Sequence, residues 1–254
     1  MATIVQNAIR HELAGQDVPG HVVEVGDGAI QLPEGLSLNT ANFDRIGSSL
    51  SISGPNGELM VVRGYFAQES PAELVSLDGS RMSGELASHL AGPKAPGQVA
   101  QLGPTATAES IGSVQNVSGT AVAVRVDGTR VVLRSGDPVF QGDLLETAAD
   151  GAIGIVLADE TALSIGANGR MVLDEMIYDP ATQEGSLALS VVQGIFTFLS
   201  GRIAKTDPDA MHIDTPVATI GIRGTQVGIE IGLDGKVHVV LMAEADGFVG
   251  EVVV

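Results

Sequence analysis

Short runs of Val, Ile, Leu and Thr alternate with polar positions along most of this chain, and turn dipeptides separate the runs. Val122 to Val126 reads V-A-V-R-V, and Arg130 to Arg134 answers it as R-V-V-L-R across Asp127-Gly128. A two-residue side-chain period on either side of an Asp-Gly pair predicts a hairpin, because a tight turn needs the positive φ that Gly tolerates. Similar punctuation recurs at Asp27-Gly28, Asn56-Gly57, Asp78-Gly79, Asp150-Gly151, Asn168-Gly169, Asp234-Gly235 and Asp246-Gly247. Strands are expected over 153–157, 162–165, 171–173, 187–192, 195–199, 211–213, 227–231 and 237–241. Leu50–Ser53 and Glu58–Arg63 flank Gly54-Pro55-Asn56-Gly57 as a further hairpin, and Tyr65 and Phe66 are expected to fill the small core beneath it. A helical period is weak except over Ile4–Ala14 and Glu85–Ala91. The pattern predicts an all-β protein.

Residues 87–110 break the alternation with Gly92-Pro93, Pro96-Gly97 and Gly103-Pro104, and read as an extended linker. The expected organisation is an N-terminal arm with a short helix at 1–20, a small β-domain at 21–86, the Pro/Gly linker at 87–110 and a second β-domain at 111–254. No fixed period repeats along the chain.

Composition narrows the function classes. The 254 residues carry 13 Lys plus Arg against 31 Asp plus Glu, a formal charge of −18. Such a chain is repelled by a nucleic-acid backbone and by an anionic membrane surface, so no nucleic-acid partner and no direct membrane insertion are expected. Cys is absent, which removes disulfides, thiol nucleophiles and thiolate metal sites. The segment Met1–Gln16 has neither a basic start nor a continuous apolar core, so a cleaved secretory signal is not expected. Leu187–Ile203 is too polar and too short for a spanning helix.

Few residues are spaced for catalysis or metal binding. His11, His21, His89, His212 and His238 show no metal-ligand spacing, and no G-x-S-x-G occurs. Gly221-Ile222-Arg223-Gly224-Thr225 lacks the spacing and Lys of a phosphate loop; it reads as a strand junction where Gly allows close backbone approach. Asp137 and Asp143, in S-G-D-P-V-F-Q-G-D, read as acids that close their own turns. Asp174, Glu175 and Asp179 are compatible with calcium through their hard oxygens, but no calcium-loop motif indicates a site, and solvated turn acids are the simpler reading. No cofactor and no enzymatic activity are expected. A carbohydrate-active enzyme would need two close carboxylates in a cleft, which no spacing suggests.

A resemblance extends this reading. Ile111-Gly112-Ser113-Val114, Gly119-Thr120-Ala121-Val122, Ser135-Gly136-Asp137 and Gln141-Gly142-Asp143-Leu144-Leu145-Glu146-Thr147 occur in order. They are followed by Gly194-Ile195-Phe196 and by Thr215-Pro216-Val217-Ala218-Thr219-Ile220-Gly221-Ile222-Arg223-Gly224-Thr225. This series resembles the FecR domain family over about 111–231. The resemblance implies a twisted, solenoid-like antiparallel sheet structure. It gives Gly136, Asp137, Gly142, Asp143, Thr215, Pro216, Ile220, Gly221, Arg223, Gly224 and Thr225 a structural role.

FecR domains are known from periplasmic regulators that bind a receptor domain and control a sigma factor. Those carry a helical anti-sigma segment and one membrane helix, which this sequence lacks. Similar domains occur near the N-terminus of very large adhesins exported by type I secretion. Arg170 to Pro180 and Gly92 to Gln98 resemble that version, and Ile46 to Phe66 resembles the small prefix domain of biofilm-associated adhesins. That setting implies a cell-surface or outer-membrane location, with the N-terminal part facing the periplasm. It implies an outer-membrane export pore or another cell-envelope protein as partner. Val252-Val253-Val254 reads as mid-strand, so the expectation is the N-terminal piece of a longer protein. Retention modules of such adhesins are released by cleavage at a di-alanine. Ala148-Ala149 superficially resembles that target, although Asp150 departs from it and an ordinary turn is the simpler reading.

Overall fold

The computed structural model describes residues 20–26, 28–92, 109–207, 209–223, 225–243 and 250–253. The chain divides into two compact units, Met1–Gly103 and Pro104–Val254. The arm at 1–19, most of the linker (93–108) and the Asp246-Gly247 pair lie outside the described residues.

In the first unit, β1 (Gly20–Glu24) pairs in parallel with β5 (Leu59–Arg63), beyond which β4 (Ser49–Ser53) and β3 (Asn42–Ile46) follow antiparallel. The β4–β5 hairpin is the one its sequence pattern predicts, with Gly57 at φ 91 in the turn. A smaller sheet joins β2 (Ile30–Gln31), β6 (Leu74–Val75) and β7 (Arg81–Met82). Helix α1 (Gly84–Leu90) begins at Ser83, whose hydroxyl accepts from the Leu86 N–H at 3.1 Å. Ala87 and Leu90 on this helix are buried, so the first residues of the Pro/Gly-rich segment are helix rather than extended linker. Tyr65 is fully buried and donates its hydroxyl to the Ala72 carbonyl at 2.6 Å. Phe66 departs from the expected core position: it is half-buried, edge-on to Tyr65, with the Arg45 guanidinium 3.4 Å from its ring centre.

The second unit opens with β8 (Ser110–Ser118), β9 (Ala121–Val124), β10 (Arg130–Val132), β11 (Pro138–Phe140) and β12 (Leu144–Thr147). It continues through β13 (Ala152–Leu157), β14 (Ala162–Ile165), β15 (Arg170–Tyr178), β16 (Gly185–Leu199) and the short helix α2 (Arg202–Thr206). It ends with β17 (Met211–Asp214), β18 (Thr219–Arg223), β19 (Gln226–Ile231), β20 (Val237–Met242) and β21 (Glu251–Val253). All-β is the observed class, and the 14 strands curl into a half-barrel. Every pairing in it is antiparallel except β16 with β17.

The curl is built on β16. Its first part pairs with β15 and β17, and its second part, from Gly194, pairs with β14 and β19. One wing therefore runs β10-β9-β12-β15-β16-β17-β18-β21 and the other β11-β8-β13-β14-β16-β19-β20. Gly194 makes the corner at φ 115, where a Cβ would sit 2.5 Å from the Gly169 Cα. The inward-facing phase flips there: Leu187, Leu189 and Val191 are buried before the corner, Phe196 and Phe198 after it. This flip is why the sequence pattern reads two strands where the structure has one. Both wings contribute to a single core that includes Ile155, Leu173, Leu189, Phe196, Ile220 and Ile229.

Most predicted turn glycines take positive φ, among them Gly28, Gly79, Gly128 and Gly235. At Asn168-Gly169 it is Asn168 that does so (φ 54), while a Cβ on Gly169 would sit 2.2 Å from Ile165 Cγ2.

Candidate functional site

The residues singled out by the FecR resemblance fall at turns and strand junctions. Gly136 (φ 90) donates its N–H to the Val114 carbonyl at 2.8 Å, and Asp137 Oδ2 accepts from the Arg134 N–H at 2.8 Å. Together they turn the chain into β11. Gly142 (φ 81) donates to the Leu173 carbonyl at 2.7 Å, tying the next turn to β15. Asp143 follows, with its side chain 1% exposed. Its Oδ2 accepts from the Phe140 N–H at 2.8 Å and from Arg125 Nη1. Arg125 also donates Nη2 to the Pro138 carbonyl at 3.1 Å and lies over the Phe140 ring. Burial pushes the Asp143 carboxyl above its ordinary value, against the pull of the Phe140 N–H and the Arg125 guanidinium.

The second motif closes the β17–β18 hairpin and the start of β19. Thr215 Oγ1 donates to the Ala218 carbonyl at 2.7 Å and accepts its N–H at 3.0 Å, with Pro216 buried in the turn. Ile220 and Ile222 enter the core. Gly221 lies opposite Val253 with ordinary room for a Cβ, at 3.8 Å, so close backbone approach does not account for it. Arg223 bridges Asp209 at 2.6 Å and Glu251 at 2.9 Å. Thr225 is buried; its carbonyl accepts from Ser200 and its hydroxyl donates to the Met242 carbonyl. Gly224 lies outside the described residues. Thus, among the described residues, the two motifs do not converge on one cleft; each fastens its own strand junctions.

Ala148 and Ala149 are exposed, but their backbone is held in a turn. The Ala148 N–H donates to Thr120 at 3.0 Å, and its carbonyl accepts from Gly151 at 2.9 Å and Asn168 at 3.1 Å. An extended protease substrate would require these bonds to open. Asp174 and Glu175 correct the expectation of turn acids. They lie on β15 at a register shift against β16; Asp179, beyond the strand, accepts from the Ala181 N–H at 2.8 Å. Among the described residues, no group of three or more His, Asp and Glu could hold a metal ion.

One buried polar cluster was not anticipated. Thr161 Oγ1 donates to Asp159 Oδ2 at 2.7 Å and accepts from the Gly201 N–H at 3.0 Å. Asp159, itself fully buried, also accepts from the Ile203 N–H at 3.4 Å and so holds the start of α2. The D-x-T spacing was its only signal, and that spacing also describes an ordinary Asx turn.

A concavity of about 390 Å³ lies on the outer face of the first wing. Strand register sets Val122, Glu146, Arg170 and Gln193 side by side along its floor. Glu146 sits between Arg130 at 2.7 Å and Arg170 at 3.6 Å, so two guanidinium groups converge on one carboxylate. Desolvation lowers the Arg170 pKa. With Gln193 and Asn168 at the same opening, the concavity offers polar donors on a rigid sheet.

With this geometry established, the comparisons with known proteins locate the family. The FecR protein model matches residues 143–244, and this stretch is a FecR domain. The match begins at the buried Asp143, whereas β8, β9 and β11, which precede it, share its core. No curated protein and no solved structure matches the chain. Among the described residues, no helix is long and apolar enough to cross a membrane.

Proposed function

We propose that this chain is a non-enzymatic module of a large surface adhesin exported by type I secretion, and that it retains the adhesin at the outer membrane. The observation that carries the reading is the single curled sheet spanning both wings of the second unit. A folded body of this kind, with β16 threaded through both wings, cannot pass a narrow channel without losing its whole core. The family motifs support a scaffold role, because they tie junctions and leave the chemistry of turns rather than of catalysis. The partner in this reading is the export pore or another protein of the cell envelope, with the N-terminal part facing the periplasm.

The FecR domain equally supports a second reading, a periplasmic signalling module that binds a receptor domain and regulates a sigma factor. Fractionation of cells expressing the full-length gene, with an epitope tag after Gly15 and external protease, separates the two. A tag protected in the periplasm while downstream repeats are cut outside supports retention. A product of the inner membrane with the tag in the cytosol overturns retention in favour of the regulator.

A further inference from the structure

The edges of the curled sheet are not alike. β10 begins with Arg130, β11 begins with Pro138, and β21 is three residues long and opens with Glu251. Short length, charge and Pro are the usual devices that keep a sheet edge from pairing with another chain. β20 has none of them. It runs for six residues, V-H-V-V-L-M, and among the described residues it pairs only with β19. Val239, Val240 and Leu241 are 36%, 57% and 40% exposed.

The surface beside Val240 and Met242 is uncharged. Register places Val240 next to Gly228 and Thr197, and Met242 next to Gln226 and Leu199. Ile195 and Leu199 are exposed on the same wing. In a chain of net charge −18, strand β20 carries no carboxylate. The flanking β19 contributes Glu230, which lies opposite His238.

We infer that β20 is a self-association edge, and that its partner is β20 of a second copy of this chain, paired antiparallel about a two-fold axis at Val240. A two-fold axis perpendicular to a sheet keeps inward residues opposite inward residues. Centred on Val240, it sets Val240 against Val240, Val239 against Leu241 and His238 against Met242. No carboxylate meets a carboxylate in this register, although the two chains are strongly acidic elsewhere. The complement that this edge requires is a neutral, apolar, unpaired strand, and the chain supplies one in itself. Pairing satisfies the outward N–H and C=O groups of β20 and covers the half-exposed Val239 and Leu241.

The absence of Cys allows a direct test on the whole 254-residue chain. Sedimentation velocity over a rising concentration series is expected to shift from the 26.0 kDa monomer to a dimer of twice that mass. Val240→Lys, on an exposed position, is expected to abolish the shift while keeping the melting temperature that the wild type has at concentrations where it is monomeric, whereas Val132→Lys on β10 leaves dimerisation intact. Val240→Cys is expected to form a disulfide-linked dimer under mild oxidation, because directly opposed residues in an antiparallel pair lie within disulfide reach. His238→Cys alone is expected not to cross-link, but to do so when mixed with Met242→Cys. A monomer at every concentration overturns the proposal. So does a dimer that survives Val240→Lys, or protection of the β20 amides that appears only when a different protein is added.

Discussion

Arg125 reaches across from the end of β9 to grip Asp143, an acid whose side chain is 1% exposed while that of the arginine is 17% exposed. The contact joins the hairpin turn after β9 to the loop before β12, and the same carboxylate oxygen holds the Phe140 N–H. The other oxygen, Oδ1, is buried without a hydrogen-bond partner among the described residues. The pair therefore sits where desolvation is costly and where loss of either member leaves the other unbalanced.

Arg125→Met keeps the length of the stem and removes the charge. It leaves a buried carboxylate with only one backbone donor, and the expected loss is about 3 kcal/mol. Urea unfolding at neutral pH measures it. A loss below about 0.5 kcal/mol, the range of ordinary surface substitutions, would show that the guanidinium is no more than a surface partner.

Asp143 also sets a pH dependence. In the folded chain its carboxyl titrates above its ordinary 3.8, mainly because it is buried. Unfolded, it ionises at the ordinary value. Between these two values the folded state holds a proton that the unfolded state has released, so this group's contribution falls as pH rises through the window. Asp143→Asn has no proton to lose. The stability of the wild type relative to Asp143→Asn is expected to be greatest below 3.8 and to shrink as pH climbs through the raised value. Paired urea melts at a series of pH values check this. A difference that grows with pH would mean that Arg125 outweighs burial.

Gly194→Ala tests the corner of β16. Its φ of 115 is strained for any residue with a Cβ, and the added carbon would press on the Gly169 backbone at 2.5 Å. Neither neighbour has a flexible side chain to move aside, so a loss of about 2–3 kcal/mol is expected. Gly221→Ala, with open contact at 3.8 Å, serves as its counterpart and is expected to cost little. Thermal melts of the two variants compare them; equal losses would show that the corner is not the tight point of the fold.

Local pattern was sufficient for the hairpins. The V-A-V-R-V and R-V-V-L-R runs pair as β9 and β10, and 153–157 pairs with 162–165 as β13 and β14. These contacts are close in sequence, and a two-residue period with a turn between specifies them. The pattern was weaker where a strand changes role along its length. Gln193-Gly194 read as a break because the buried phase reverses there, and only the pairing of β16 with four strands shows the continuity. Asp174 and Glu175 read as turn residues because acids are common in turns, yet they sit at a register shift inside β15.

The order of turn glycines and the alternating Val and Ile thus specified an all-β chain. Those are properties of backbone conformation and local hydrogen bonding, which nearest neighbours dictate. Long-range closure lay outside that reach: which wing each hairpin joins, the Arg125–Asp143 and Asp159–Thr161–Gly201 contacts, and the outer edge of β20, which pairs with no other strand among the described residues. These depend on residues far apart in the chain meeting across one shared core. Burial and desolvation at that core, rather than the identity of any single residue, set how strongly each contact counts.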